Sequence, residues 1–186
     1  MSGHSKWAQI KYKKGATDAK RGKIFSKLSR MITLAAANPP AGGGPDPKTN
    51  SRLTTTIEEA RKANMPSDNI ERAIKKASAK ESAELKEVIY EAYGPGGSAI
   101  IITAITDNSN RTTNEIKHLL LEHGAKLGVE GSALWAFDRR SPSEGGFIAK
   151  FPQTLSETDT KKFDALLSAL DDHDDVQEVY SNAQLP

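Results

Sequence analysis

Apolar residues in the first part of the chain recur at steps of three and four, the spacing of one buried helix face. From Thr17 to about Ala37 this pattern predicts a first helix, with apolar positions at Ile24, Phe25, Leu28, Met31, Ile32 and Ala35. The segment 38–50 is rich in proline and glycine, and it predicts an exposed, mobile loop after that helix.

Two shorter helices follow before the pattern changes. The first has apolar positions at Leu53, Ile57, Ala60 and Ala63 and ends at the "NMP" of residues 64–66. Ser67 has a side chain suited to an N-cap, so we expect it to cap a third helix with apolar positions at Ile70, Ala73, Ile74 and Ala77. These helices predict a small helical domain over residues 1–78, followed by a linker at 79–87.

The second half of the chain has the pattern of strands alternating with helices. Strands are predicted at 88–93, 98–106, 133–137, 147–151 and 176–180, with "GPGG" at 94–97 as a tight turn. One helix is predicted from Thr112 to His123, with Gly124 just beyond its end, and another after a capping box of Ser156 and Asp159. We therefore predict an α+β fold: an N-terminal three-helix domain followed by a ferredoxin-like, split βαβ domain over 88–186.

Charge separates the same two halves. Residues 1–80 hold 17 Lys/Arg and 6 Asp/Glu, whereas residues 81–186 hold 9 and 18. Such an asymmetry indicates a polyanionic partner for the first half only.

The strongest concentration of cations is at the N-terminus. Nine Lys/Arg fall within residues 1–30 against one acid, Asp18, and Trp7 and Tyr12 lie among the first of them. Cations neutralise phosphates and release counterions, and aromatic rings stack on bases. We favour a nucleic-acid-binding surface over a merely solubilising arm. Its predicted contacts are Lys6, Trp7, Lys11, Tyr12, Lys13, Lys14, Lys20, Arg21, Lys23, Lys27 and Arg30.

The remaining candidate motifs favour structural interpretations. "GPGGSA" precedes a strand, so we expect a hairpin turn and not a dinucleotide site. Asp107, Asn108, Asn110 and Arg111 stand at a strand-to-helix junction, where capping is favoured over catalysis. "DDHDDV" at 171–176 is interpreted as a solvated acidic helix end, and the spacing of the four histidines assembles no metal site. We expect no enzymatic activity, metal, cofactor, small-molecule substrate or membrane partner.

The chain contains no cysteine and no apolar run long enough to span a bilayer. The absence of cysteine fits a reducing compartment, and we expect the protein in the cytoplasm. The sequence leaves its oligomeric state open.

Several long motifs resemble the YebC family. They are "GHSKWAQIKYKKGATDAKRGKIFSKL", "NMPSDNIERAIKKA", "YEAYGPGGSAIII", "TDNSNRTTNEIKHLLLEHGAKLGVEGS" and "DDVQEVY". The resemblance implies a helical N-terminal domain, then α/β domains, and no enzymatic activity. Members are described as DNA-binding transcription regulators or as translation factors at the ribosome. They are longer, with a further α/β domain where this chain has only residues 138–158.

Three functions follow as hypotheses. The first is a DNA-binding transcriptional regulator, and the second is a translation factor that binds rRNA on the ribosome. The third is a protein-interaction module whose acidic half recruits a basic partner.

Overall fold

The computed structural model describes residues 18–39, 46–77, 85–140 and 146–184. The described chain divides into two compact units. The helical unit holds residues 18–39, 46–77, 85–86 and 105–107, and the α/β unit holds residues 87–104, 108–140 and 146–184. No helix in the described ranges combines the length and the apolarity needed to cross a membrane.

The helical unit contains helices α1 (Asp18–Ala37), α2 (Ser51–Lys62) and α3 (Ser67–Lys76). The apolar positions that predicted these helices form their common core, with Leu28, Ile32, Ala35, Leu53, Ala60 and Ala73 among the buried residues. The prediction that Ser67 caps α3 is wrong. Pro66 is the N-cap and makes no side-chain capping bond; its carbonyl accepts hydrogen bonds from the backbone N–H groups of Asn69 and Ile70.

One buried amide joins the end of α1 to the start of α2. Asn50 is wholly buried, and its side-chain oxygen accepts from the backbone N–H of Leu53 at 2.9 Å. Its side-chain nitrogen donates to the carbonyl of Ala35 at 2.8 Å. The same residue therefore caps α2 and satisfies a carbonyl near the C-terminal end of α1, where the helix itself supplies no donor.

The α/β unit is built on a four-stranded sheet with two helices. Its strands are β1 (Lys86–Tyr93), β2 (Ala99–Thr106), β3 (Lys126–Leu127) and β7 (Val176–Ser181), in the order β3-β1-β2-β7. Helix α4 (Ser109–Glu122) lies between β2 and β3 in the chain, and α5 (Glu157–Asp172) precedes β7. The unit β2–α4–β3 is a split βαβ, because β1 lies between its two strands.

Two smaller sheets complete the unit. Strands β4 (Phe137–Arg139) and β5 (Phe147–Ala149) form an antiparallel hairpin. Strands β6 (Gln153–Thr154) and β8 (Ala183–Gln184) pair in parallel.

Strand β2 separates two apolar layers. Ile100, Ile102 and Ala104 pack with residues of α4 and α5, including Ile116 and Leu166. The intervening positions Ala99 and Ile101 pack with Phe137 and Phe147 of the hairpin. A strand buried on both faces reads as a continuous apolar run, as "AIIITAIT" does.

The predicted fold class is confirmed: helices come first, and a mixed α/β part follows. The "GPGG" segment joins β1 to β2 as expected, because Pro95–Gly97 forms a 3₁₀ turn with positive φ at Gly96 and Gly97. The backbone N–H of Gly94 donates to the carbonyl of Ser98 across this turn at 2.8 Å.

Several strand assignments differ from the prediction. The opening strand β1 stands at the centre of the main sheet, and the predicted strand 147–151 pairs with β4 outside it. Residues 133–136 are not in a strand, because Leu134–Ala136 forms a 3₁₀ turn, and Phe137 is the first residue of β4. Lys86 and Glu87, expected in the linker, belong to β1.

We expect Asn50→Ala to destabilise the helical unit by about 2–4 kcal/mol. The change removes an N-cap worth about 1 kcal/mol and leaves a buried carbonyl without its donor, at about 1–3 kcal/mol. Urea unfolding followed by circular dichroism measures the loss. Ser51→Ala is the matched control, because Ser51 is exposed and makes no capping bond. Equal stability of the two variants would contradict the role of Asn50.

Candidate nucleic-acid interface

The predicted contact residues fall into two groups. Lys20, Arg21, Lys23, Lys27 and Arg30 lie on α1. The arm residues lie outside the described part of the chain; these are Lys6, Trp7, Lys11, Tyr12, Lys13 and Lys14.

The sequence led us to expect that the five cations of α1 form one exposed surface. The structure shows that they do not. Lys20, Arg21 and Lys23 are exposed, whereas Lys27 is only 6% exposed. The change occurs where α1 enters the helical core at Leu28, so the aliphatic stem of Lys27 is covered along with its neighbours. Lys20, Arg21 and Lys23 are called the α1 cluster below.

Arg30 is engaged within the helical unit. One of its terminal nitrogens donates to the carbonyl of Ile105 at 3.2 Å, and Ile105 belongs to the same unit. Arg30 is half-buried, so this bond accounts for part of its guanidinium. The contact gives Arg30 a structural role besides the one predicted for it.

The α1 cluster lies at an electrostatically unfavourable place for helix stability. Its three residues fall in the first two turns of a 20-residue helix. The N-terminal end of a helix carries the positive end of the macrodipole, so cations there destabilise the helix and anions stabilise it. The exposed cations and the helix dipole therefore both favour an anion near this end of α1.

The other two helices of the unit have cations in their last turns, and α2 also has one, Arg52, in its first turn. Arg61 and Lys62 lie in the last turn of α2, and Lys75 and Lys76 in the last turn of α3. Cations at that end interact favourably with the dipole. The helix dipole favours cations at the positions of these four residues and disfavours them at the positions of the α1 cluster.

A second polar cluster lies in the α/β unit, at the start of α4. Asn108 is the N-cap, as predicted, and its side chain accepts from the backbone N–H of Arg111 at 3.1 Å. The guanidinium of Arg111 donates to the carboxylate of Asp175 at 2.9 Å, and the hydroxyl of Thr112 donates to the same oxygen at 2.6 Å. Asp175 is 3% exposed, so the interpretation of residues 171–176 as wholly solvated is wrong at this position.

Glu115, His173 and Asp175 each place a possible metal-ligand atom within 4.8 Å of the others. The spacing of the histidines does not predict this cluster, because His173 and Glu115 are far apart in the sequence and come together only in the folded chain. The backbone N–H of Asp175 donates to Nδ1 of His173 at 3.2 Å. Nε2 of His173 therefore carries the proton that it donates to Glu115, 3.1 Å away. These hydrogen bonds join the start of α4 to the end of α5.

Two family models match the chain. The TACO1/YebC protein N-terminal domain matches residues 5–80. The TACO1/YebC second and third domain matches in two pieces, residues 85–143 and 140–183.

Similar proteins agree with these matches. A "Probable transcriptional regulatory protein" of Pseudothermotoga lettingae is 39% identical over 243 residues, covering 100% of this chain and 94% of the relative. A protein of the same description from Aquifex aeolicus is 53% identical over 158 residues, covering 84% of this chain and 60% of the relative. The crystal structure of a conserved hypothetical protein, Aq1575 from Aquifex aeolicus, superposes with a TM-score of 0.81 at 36% identity, covering 98% of each chain.

We expect Asp175→Asn to destabilise the α/β unit by about 2 kcal/mol, because it removes the charged partner of Arg111 from a buried position. Urea unfolding measures the effect. Asp174→Asn is the control, since Asp174 is the exposed neighbour, and it should change stability by less than about 0.5 kcal/mol. If both variants behaved alike, the Arg111–Asp175 contact would not stabilise the fold.

Proposed function

We propose that this chain, which belongs to the TACO1/YebC family, is a non-enzymatic, nucleic-acid-binding regulator of gene expression in the cytoplasm. Its relatives carry the description "Probable transcriptional regulatory protein", which supports a regulatory role. The specific form of the proposal is a transcriptional regulator that binds duplex DNA through the helical unit. The N-terminal arm with Lys6, Trp7, Lys11, Tyr12, Lys13 and Lys14 is proposed as part of the same surface.

The observation that carries the proposal is the position of the α1 cluster. Three exposed cations stand where they destabilise their own helix. A phosphate bound there would gain from the side chains and from the helix N-terminus together. Because the helix dipole disfavours cations at this end of α1, binding of an anionic partner gives a reason for their placement.

The triple change Lys20→Gln, Arg21→Gln and Lys23→Gln tests this surface. For the unaltered chain engaging about six phosphates of duplex DNA, the logarithm of affinity should fall with the logarithm of salt concentration at a slope near −5. Removing three phosphate contacts should bring the slope to about −2.5. Fluorescence anisotropy of a labelled duplex, titrated at several salt concentrations, measures both slopes.

The control is Arg72→Gln, Lys75→Gln and Lys76→Gln, which removes the same charge from exposed positions on α3. It should keep the slope of the unaltered chain. Equal losses in the two triple variants would mean that net charge matters and that the α1 cluster has no special role. A slope near zero for the unaltered chain would overturn the proposal.

A comparison of nucleic acids separates the two regulatory hypotheses. Under matched salt, a DNA-binding regulator should bind duplex DNA at least as tightly as structured RNA, and should stay out of the ribosomal fractions of a DNase-treated lysate. Salt-sensitive sedimentation with ribosomes would instead favour a translation factor on rRNA. Capture of a protein partner that resists nuclease and needs only residues 88–186 would favour the interaction-module hypothesis.

A further inference from the structure

Two aromatic side chains of the α/β unit form an exposed pair. Trp135 is 57% exposed and Phe151 is 53% exposed. Their ring centroids are 5.6 Å apart and their planes are inclined by 36°. Burial of an aromatic ring is favourable, and an exposed ring forgoes that free energy. A pair of rings with over half of each residue exposed therefore indicates a binding surface.

The loop that carries Trp135 is fixed by hydrogen bonds to a side chain of β1. Glu91 on β1 is 5% exposed, and its carboxylate accepts hydrogen bonds from the backbone N–H groups of Gly131, Ala133 and Leu134. The three bonds fix the backbone immediately before Trp135.

The orientation of the indole is fixed as well. Its Nε1–H donates to the carbonyl of Ser132 at 2.8 Å, and the hydroxyl of Tyr93 donates to the same carbonyl. With its one polar group satisfied inside the protein, the Trp135 ring has only apolar surface to offer a ligand. Little conformational entropy remains to be lost when a ligand binds.

A cation stands beside the pair. Nζ of Lys150 is 5.9 Å from the centroid of Phe151 and 3.1 Å from a carboxylate oxygen of Asp138. Both side chains of this ion pair are more than a third exposed, so the pair contributes little stability and the ammonium can turn to another anion. Residues 126–150 hold four Lys/Arg and three Asp/Glu, whereas residues 81–186 as a whole hold 9 and 18.

We propose that Trp135 and Phe151 stack an unpaired base of a single-stranded nucleic acid, with Lys150 placed to meet the adjoining phosphate. Aromatic faces next to a cation are the combination that single-strand binding sites use, and stacking accepts any base. The inference rests on the proposed function, and adds a site on the α/β unit that distinguishes unpaired strands from duplex.

Intrinsic fluorescence tests the site directly. The chain has two tryptophans, Trp7 and Trp135, so in a Trp7→Phe chain Trp135 alone reports. An oligothymidylate or oligouridylate of about twelve nucleotides should quench its emission, whereas a duplex of equal length should not. Comparing the two oligonucleotides tells whether DNA or RNA is preferred.

Phe151→Ala should weaken single-strand binding about 5- to 100-fold, measured by anisotropy of the labelled oligonucleotide. Phe151→Leu should weaken it similarly, because leucine keeps an apolar side chain but has no ring to stack. Leu121→Ala is the matched control: Leu121 is 58% exposed on α4 of the same unit and should leave affinity unchanged.

The outcomes separate this site from the proposed function. Salt-dependent binding with unquenched Trp135, or full affinity in Phe151→Ala, would overturn the stacking site and leave the proposed function standing. Full affinity in Phe151→Leu would indicate a general apolar contact and also overturn it. Concentration-dependent quenching without oligonucleotide would assign the surface to a second copy of the chain. Failure of every nucleic acid to bind at low salt would overturn both proposals.

Discussion

Burial of strand β2 on both faces is the constraint on which the α/β unit depends. Ile100, Ile101 and Ile102 are wholly buried, so neither side of the strand can face water. Each fully buried aliphatic side chain contributes about 1.5–3 kcal/mol, which makes the strand a major source of stability. Helices α4 and α5 cover one face, and the β4–β5 hairpin covers the other. The hairpin is thus part of the core, although it lies outside the main sheet.

The sequence predicted most elements because their signals are local. Helical spacing placed α1 to α3, and Ser156 caps α5 through the backbone N–H of Asp159, as the capping box indicated. The pairing of strands depends on contacts between residues that are far apart in the chain, and the sequence predicts these contacts less well. Nothing local to residues 86–93 says that β1 lies between β2 and β3. An apolar run such as "ALWAF" suits a strand or a helical turn, and only contacts with distant parts of the chain decide between them.

The candidate sites divide in the same way. Composition located the basic N-terminus, but burial of Lys27 and the bond from Arg30 to Ile105 depend on how the helices pack. The Glu115–His173–Asp175 cluster joins residues up to 60 positions apart, which no spacing rule within one element reveals. The exposed Trp135–Phe151 pair was missed for the same reason. The sequence did contain one signal of it. Trp135 and Phe151 lie within 16 positions of each other, and Phe151 directly follows a cation, Lys150.

The junction between β4 and β5 is where the second family match divides into two pieces. The alignment with the relative from Pseudothermotoga lettingae extends over 243 residues, against 186 in this chain, so some aligned positions have no counterpart here. The two pieces of the second family match meet at residues 140–143, between the paired strands of the hairpin. Extra chain inserted at that connection would enter between Phe137 and Phe147, which pack against β2, and closing a longer connection costs little free energy. The same insertion would begin close in sequence to Trp135 and Phe151 and would change what surrounds them. The α1 cluster lies in the other unit and would keep its exposed cations, so a stacking site on the α/β unit is the feature that should vary most with chain length.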